Sequence, residues 1–236
     1  MSGHSRWSNI KRTKEKSDAQ KGKLFTKVGR ELAVAVKSGG SDPDTNNKLK
    51  DAIAKAKACN MPNDSIQRAI KKASGELGDI NYEEITYEGY GIGGVAVLVK
   101  CLTDNKNRTA GDVRHAFDKH GGSLGSTGCV SYLFTEKGII NVDLKEDFDL
   151  VFEIALDLGA EDIEQNEDAI CVTTNPDQVF EIAEKLKEKV SVLDSARELV
   201  ASNYVSLDDD KAKSFEKMID MLEDLDDVQE VTHNAE

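Results

Sequence analysis

"EITYEGYGIGGVAVLVKCL", residues 84–102, and "NRTAGDVRHAFDKH", residues 107–120, decide the class of this fold. The runs of Ile, Val, Leu and Tyr on either side of Gly91–Gly94 predict two β-strands joined by a glycine turn, because β-branched and aromatic side chains suit a pleated surface. The second stretch predicts a helix. A strand pair running into a helix is the opening of an α+β layer rather than of a bundle.

Downstream the alternation continues. "GGSLGSTG" reads as a loop, and "CVSYLFTEKGIINVDL" as strand, turn and strand. "DFDLVFEIALDLGA" reads as a helix, and "AEDIEQNEDAICVTT" as a hairpin turned at Asn166. Asn175-Pro176 introduces the helix "DQVFEIAEKLKEK". After it come a strand in "ELVASNYVSL", a helix in "DDDKAKSFEKMIDMLEDL" with Phe215, Ile219 and Leu222 inward, and a last strand in "VQEVTHN". Roughly 150 residues of such alternation exceed one small sheet, and two α+β sandwiches of split βαβ type accommodate them. Residues 137–201 carry their own strand–helix–hairpin–helix set and are expected to be inserted into a domain made of 79–136 and 202–236. On this reading the strand near Tyr204 returns the chain to the first sandwich.

Upstream the pattern is helical. Leu24, Val28, Leu32 and Val36 recur every four residues from Gln20 onward, and Gly39-Gly40 stops the run. "SDPDTNNKLKDAIAKAKACNM" supplies caps and an apolar stripe of Leu49, Ile53 and Ala56. Pro62-Asn63-Asp64 starts a third helix with Ile66, Ala69, Ile70 and Ala73 inward. Residues 1–19 show no periodicity and are expected to form an arm that is disordered when free. Residues 1–78 thus form a basic arm plus a three-helix domain, and "ELGDINYEE" (76–84) is an acidic linker.

Charge separates these parts. The chain carries a net charge of −13. Residues 1–75 hold 17 Lys+Arg against 7 Asp+Glu, whereas the remainder holds 14 against 37. A polyanion is therefore attracted by one end and repelled by the other, which favours oriented docking. Arg6, Lys11, Arg12, Lys14 and Lys16 of the arm, followed by Lys21, Lys23 and Lys27, are candidate phosphate contacts. Trp7 beside Arg6 is a candidate stacking platform for an exposed base. A merely solubilising tail has no use for a tryptophan. On the second helix Lys48 and Lys55 flank the apolar stripe on one shoulder and Lys50 and Lys57 on the other, against the single Asp51. Arg68, Lys71 and Lys72 extend the basic surface onto the third helix. Lys106 and Arg108 stand at a helix start, where Asn105, Asn107 or Thr109 reads as the N-cap. A helix dipole disfavours cations there unless an anion meets them, so a phosphate contact is the alternative.

Other chemistries find little support. "GYGIGG" has the spacing of a dinucleotide loop but precedes a strand instead of a helix, so a tight β connection is expected. "GGSLGSTG" lacks a phosphate-binding lysine. Cys59, Cys101, Cys129 and Cys171 are too far apart for a zinc knuckle or redox pair and read as small core residues. No histidine, carboxylate or serine motif argues for catalysis, and neither cofactor nor metal is expected. No apolar run approaches the ~20 residues of a membrane span, and no secretory h-region opens the chain, so a cytoplasmic location is expected.

Four separated stretches, "MSGHSRWSNIKRTKEKSDAQKGKLFTK", "MPNDSIQRAIKKASGE", "YEGYGIGGVAVLVKCLTDNKNRT" and "VRHAFDKHGGSLG", resemble the YebC/PmpR family. Mitochondrial members of that family include the translational activator of cytochrome oxidase subunit one. The resemblance covers essentially the whole chain. It implies a helical bundle followed by two ferredoxin-like α+β domains, one interrupted by the other. It also implies a regulator of gene expression, described either as a promoter-DNA-binding transcriptional regulator or as a ribosome-associated translation factor acting at stretches such as consecutive prolines. In the second case the arm would meet ribosomal RNA and the acidic domains would face basic ribosomal proteins.

Overall fold

A computed structural model describes residues 18–75 and 82–236. The expected disordered arm, with Arg6, Trp7, Lys11, Arg12, Lys14 and Lys16, and most of the acidic linker lie outside the described residues. The helical part comprises α1 (Asp18–Gly39), α2 (Asn47–Ala58) and α3 (Asn63–Ser74). Then follow β1 (Glu83–Tyr90), β2 (Ala96–Thr103), α4 (Lys106–Lys119) and β3 (Ser123–Leu124). Next come β4 (Phe134–Val142), α5 (Phe148–Asp157), β5 (Asp162–Gln165), β6 (Ile170–Thr174), α6 (Val179–Lys187) and β7 (Val192–Ala201). The chain closes with α7 (Asp209–Glu223) and β8 (Val228–His233). The described residues divide into two compact units, one running up to Ser131 and resuming over Leu207–His233, the other made of Tyr132–Ser206 with Asn234–Glu236.

In the first unit, Val28, Leu32, Ala35 and Val36 of α1 pack with Leu49, Ala52 and Ala56 of α2 and with Ile66 and Ile70 of α3. Burying each large aliphatic side chain contributes about 1.5–3 kcal/mol, and this core is what holds three short helices together. Gly40 takes a φ of +87° and so ends α1. Asn46 is buried at the α1–α2 junction. Its Oδ1 caps α2 by accepting the Leu49 N–H at 3.1 Å, while its amide donates to the carbonyls of Ala35 and Gly40, each at 2.8 Å.

The same unit contains an antiparallel sheet in the order β3-β1-β2-β8. The glycine connection is the tight turn expected, with Gly93 and Gly94 at φ +76° and +82°. Side chains of α4 (Val113, Ala116, Phe117) and α7 (Phe215, Met218, Ile219, Leu222) are buried in this layer. Part of "GGSLGSTG", read above as loop, supplies the short edge strand β3, which pairs with β1 through Gly89–Leu124 and Tyr90–Ser123.

The second unit is a βαββαβ layer with sheet order β5-β6-β4-β7, all neighbours antiparallel. This is the ferredoxin-like arrangement, in which β6 lies between the strands joined by α5. Its core is Ile140, Val142, Val151, Ala155, Ile170, Val172, Ile182 and Leu186. Asn166 turns the β5–β6 hairpin, its Oδ1 accepting the N–H groups of Asp168 and Ala169 at 3.0 and 2.8 Å.

Two expectations are corrected here. Gly138 does not mark a turn: it lies inside the single strand β4, opposite Thr174. A Cβ at Gly138 would press on Thr174 Oγ1 and lie 2.6 Å from Val179 Cβ, so glycine is there to let the start of α6 approach the strand. The strand expected near Tyr204 is absent. β7 ends at Ala201 and pairs with β4, and Val205 makes only an isolated bridge to Ala235. The expected strand thus begins earlier, sharing only residues 198–201 with the 198–207 stretch, and the first six residues of β7 escape notice because this edge strand has mostly half-buried side chains and a weak apolar alternation.

Within the first unit a single buried carboxylate gathers the helical part onto the sheet. Asp227 precedes β8 and is 6% exposed. Its Oδ1 accepts from Arg30 Nη1 of α1 at 2.6 Å, and its Oδ2 from Arg108 Nη2 at 2.7 Å, the Thr109 hydroxyl at 2.8 Å and the Thr103 hydroxyl at 3.2 Å. Arg30 also donates to the Asp226 carbonyl at 2.7 Å and lies over the Tyr82 ring, 5.4 Å from its centroid. Burial pushes the Asp227 carboxyl up, but the hydrogen bonds from Arg108, Thr109 and Arg30 outweigh it and hold the group below the usual aspartate value.

Gly138→Ala is expected to destabilise the protein by about 1–3 kcal/mol through overpacking, seen as a lowered denaturant midpoint at unchanged slope. Asp227→Asn is expected to cost about 2–3 kcal/mol at pH 7, because charged donors lose their acceptor. A depressed native pKa contributes stability above the unfolded value, about 3.9, and loses it as pH falls through the native one. The gap between wild type and variant, measured by denaturation across pH, should therefore close on acidification below about pH 4.

Candidate nucleic-acid interface

The basic residues of the helical part sort into two groups by what they touch. One group meets carboxylates and carbonyls of the same chain. Lys55 of α2 pairs with Glu31 of α1 at 2.5 Å, Lys23 with Asp224 at 3.2 Å, and Lys27 Nζ donates to the Glu223 carbonyl at 2.5 Å. The other group faces out. Lys48, Lys50, Lys57, Lys71 and Lys72 are exposed, and none has an ion-pair partner among the described residues. Arg68 is also exposed, its guanidinium laid along its own helix towards the Asp64 carbonyl and the Ser65 hydroxyl. The backbone of Lys21 falls in α1, and its side chain lies outside the described set.

Helix geometry explains the division. Positions seven apart share a face, so Lys48 and Lys55 lie on one shoulder of α2 and Lys50 and Lys57 on the other. Glu31 draws Lys55 against α1, which leaves the Lys50–Lys57 shoulder as the open one. This shoulder borders a groove of about 500 Å³ between α2 and α3. Ile53 and Ile66 give the groove apolar lining, Asn63 and Gln67 give it amides from α3, and Pro43 and Asp44 complete it. Lys71 and Lys72 occupy the last turn of α3, where cations are favoured by the helix dipole.

Lys106 and Arg108 are not part of this surface group. Asn105 is the N-cap of α4, accepting the Arg108 N–H at 3.1 Å. Lys106 pairs with Glu83. The Arg108 guanidinium bonds Asp227 and, at 2.8 Å, Asp104. Its pKa is raised by the hydrogen bond to Asp227 first and that to Asp104 second. The cations at this helix start are thus met by anions, but the anions are carboxylates of the same chain. The glycine-rich segment after β3 is likewise occupied. The carboxylate of Glu88, 4% exposed, accepts the N–H groups of Gly128, Val130 and Ser131 at 2.7–2.9 Å. Burial raises the Glu88 pKa, but these backbone donors prevail and the net shift is downward. Donors that a phosphate would need there are already engaged.

Arg30 and Asp227 escaped the sequence reading, and no local signal marks them, since their contact spans 197 residues. The groove amides Asn63 and Gln67 sit one helical turn apart, a spacing that could have been noticed.

Two family models cover the chain. The TACO1/YebC protein N-terminal domain matches residues 5–76, and the TACO1/YebC second and third domain matches residues 82–235. A probable transcriptional regulatory protein of Hathewaya histolytica is 54% identical over 239 residues, covering 100% of this chain and 97% of the relative. One from Acetivibrio thermocellus is 55% identical over 240 residues, covering 99% and 98%. The crystal structure of a conserved hypothetical protein from Aquifex aeolicus superposes with a TM-score of 0.85 at 46% identity, covering 98% of this chain and 97% of that one. Helical part, split sheets and the matched sequence blocks agree, and the chain belongs to the TACO1/YebC family.

Proposed function

We propose that the protein is a non-enzymatic regulator of gene expression that docks nucleic acid on the α2–α3 side of its helical part. The observation that carries this reading is the set of exposed lysines without carboxylate partners among the described residues, Lys48, Lys50, Lys57, Lys71 and Lys72, in a chain whose remaining charge is strongly negative. Lysines that neutralise phosphates release the counterions condensed on the polyanion, and the acidic remainder restricts where that polyanion sits. Lys23, Lys27, Lys55, Lys106 and Arg108, engaged within the protein, act in this reading by fixing the helical part rather than by touching phosphate. The arm with Arg6, Trp7, Lys11, Arg12, Lys14, Lys16 and Lys21 extends the contact along the polymer.

The names of the relatives support transcription, and hence promoter DNA, as the first target. An RNA-contacting translation factor is the second reading, which the concave groove between α2 and α3 favours because irregular RNA presents splayed nucleotides. Affinity for promoter DNA and for ribosomal RNA fragments measured across a salt series, with sucrose-gradient sedimentation of lysate in parallel, tests both. Sequence-selective DNA binding without ribosome association supports the first. Co-sedimentation with ribosomes alongside DNA binding that ignores sequence supports the second. Replacing Lys48, Lys71 and Lys72 with Ala should weaken binding across all sequences and lower the log–log salt slope by about one per residue; an unchanged slope would remove this face from the interface.

A further inference from the structure

We infer that the groove between α2 and α3 holds one unpaired nucleotide of single-stranded RNA, an inference that rests on the RNA-contacting reading above and deepens it. Lys50 and Lys57 stand two turns apart on α2, roughly 10 Å along the axis. Their flexible ammonium groups reach the phosphates on either side of a single nucleotide. Neither has an ion-pair partner among the described residues, so both are available to an external anion. Between them the half-buried Ile53 presents open aliphatic surface, with the buried Ile66 beneath it. A base inserted there meets aliphatic surface on its face, as splayed bases do in apolar pockets.

The polar lining selects further. Asn63 and Gln67 occupy one face of α3, one turn apart, and carry both donors and acceptors suited to a base edge. A paired base has that edge occupied, and a duplex is too broad to bring one base into a groove of about 500 Å³. Asp44 is the feature that separates ribose from deoxyribose. A carboxylate repels phosphate but accepts a hydrogen bond from a 2′-hydroxyl, the one donor DNA lacks. Phosphates are thus directed to the lysine wall and the sugar to the Asp44 side.

Fluorescence anisotropy of the full-length chain with a labelled 12-nucleotide RNA, the same sequence as single-stranded DNA, and the RNA duplex tests the inference. The expected order of affinity is single-stranded RNA, then single-stranded DNA, then duplex. Lys50→Ala with Lys57→Ala should weaken single-stranded RNA binding about tenfold with an unchanged thermal melt, since both side chains are exposed. Gln67→Ala should weaken it while leaving the salt slope alone, and Asp44→Asn should narrow the gap between RNA and DNA. If the wild type binds nucleic acid but the groove variants bind equally well, or if duplex is preferred, the groove inference is overturned and the docking reading stands. Equal binding of RNA and DNA that still depends on Lys50 and Lys57 overturns the role given to Asp44 and the choice of RNA. If no nucleic acid binds at all, the docking reading itself fails.

Discussion

Asp227 accepts four donors from three separate parts of the chain: Arg30 on α1, Thr103 at the end of β2, and Arg108 and Thr109 in the first turn of α4. A carboxylate this well surrounded stays ionised despite burial, and its removal would leave Arg30 without a carboxylate partner among the described residues and Arg108 with Asp104 alone. The helical part has its own small core, but the orientation of α1 on the sheet layer is set by this carboxylate and by the neighbouring carbonyls of Glu223 and Asp226 that Lys27 and Arg30 reach. Buried charges are weak contributors to net stability yet strong determinants of which arrangement is allowed, since any other leaves them unpaired.

That arrangement sorts the cations of a basic domain. Those on α1 and at the head of α4, with Lys55 of α2, meet carboxylates and carbonyls of the chain, whereas Lys48, Lys50 and Lys57 of α2 and Lys71 and Lys72 at the end of α3 face solvent. In the sequence the two groups look alike, as lysines and arginines near apolar stripes. What separates Lys55 from Lys57 is the presence of Glu31 at 2.5 Å from the first. The set of exposed lysines is therefore narrower than the charge count implies, and Lys50 and Lys57 among them border a groove.

Much of the fold was legible because its signals are short-range. The four-residue recurrence of Leu24, Val28, Leu32 and Val36, the cap at Asn105 and the turn at Asn166 each depend on neighbours within a few positions. Where the reading failed, the decisive contact was remote. Gly138 looks like a turn residue until α6 is brought against β4, and the strand read over 198–207 shifts towards the N-terminus, to Val192–Ala201, because that is the stretch β4 pairs with. The candidate site followed the same rule. Lys48, Lys50, Lys57, Lys71 and Lys72 are where amphipathic periodicity puts them. At Arg108 the sequence leaves a phosphate contact open beside the N-cap reading, because the internal partner Asp227 lies 119 residues further on.

By itself the sequence determined the separation of a basic helical part from an acidic α+β remainder, the glycine connection at 91–94, and the periodic faces that become three cores. These are properties of composition and local spacing, which hydrophobic burial and backbone sterics convert directly into structure. Tertiary structure alone decided which cations remain available and that two of them border a groove lined by isoleucines and amides. The reason is that Coulomb attraction and hydrogen bonding act over a few ångströms of space without regard to chain distance, so only folding reveals which opposite charges meet.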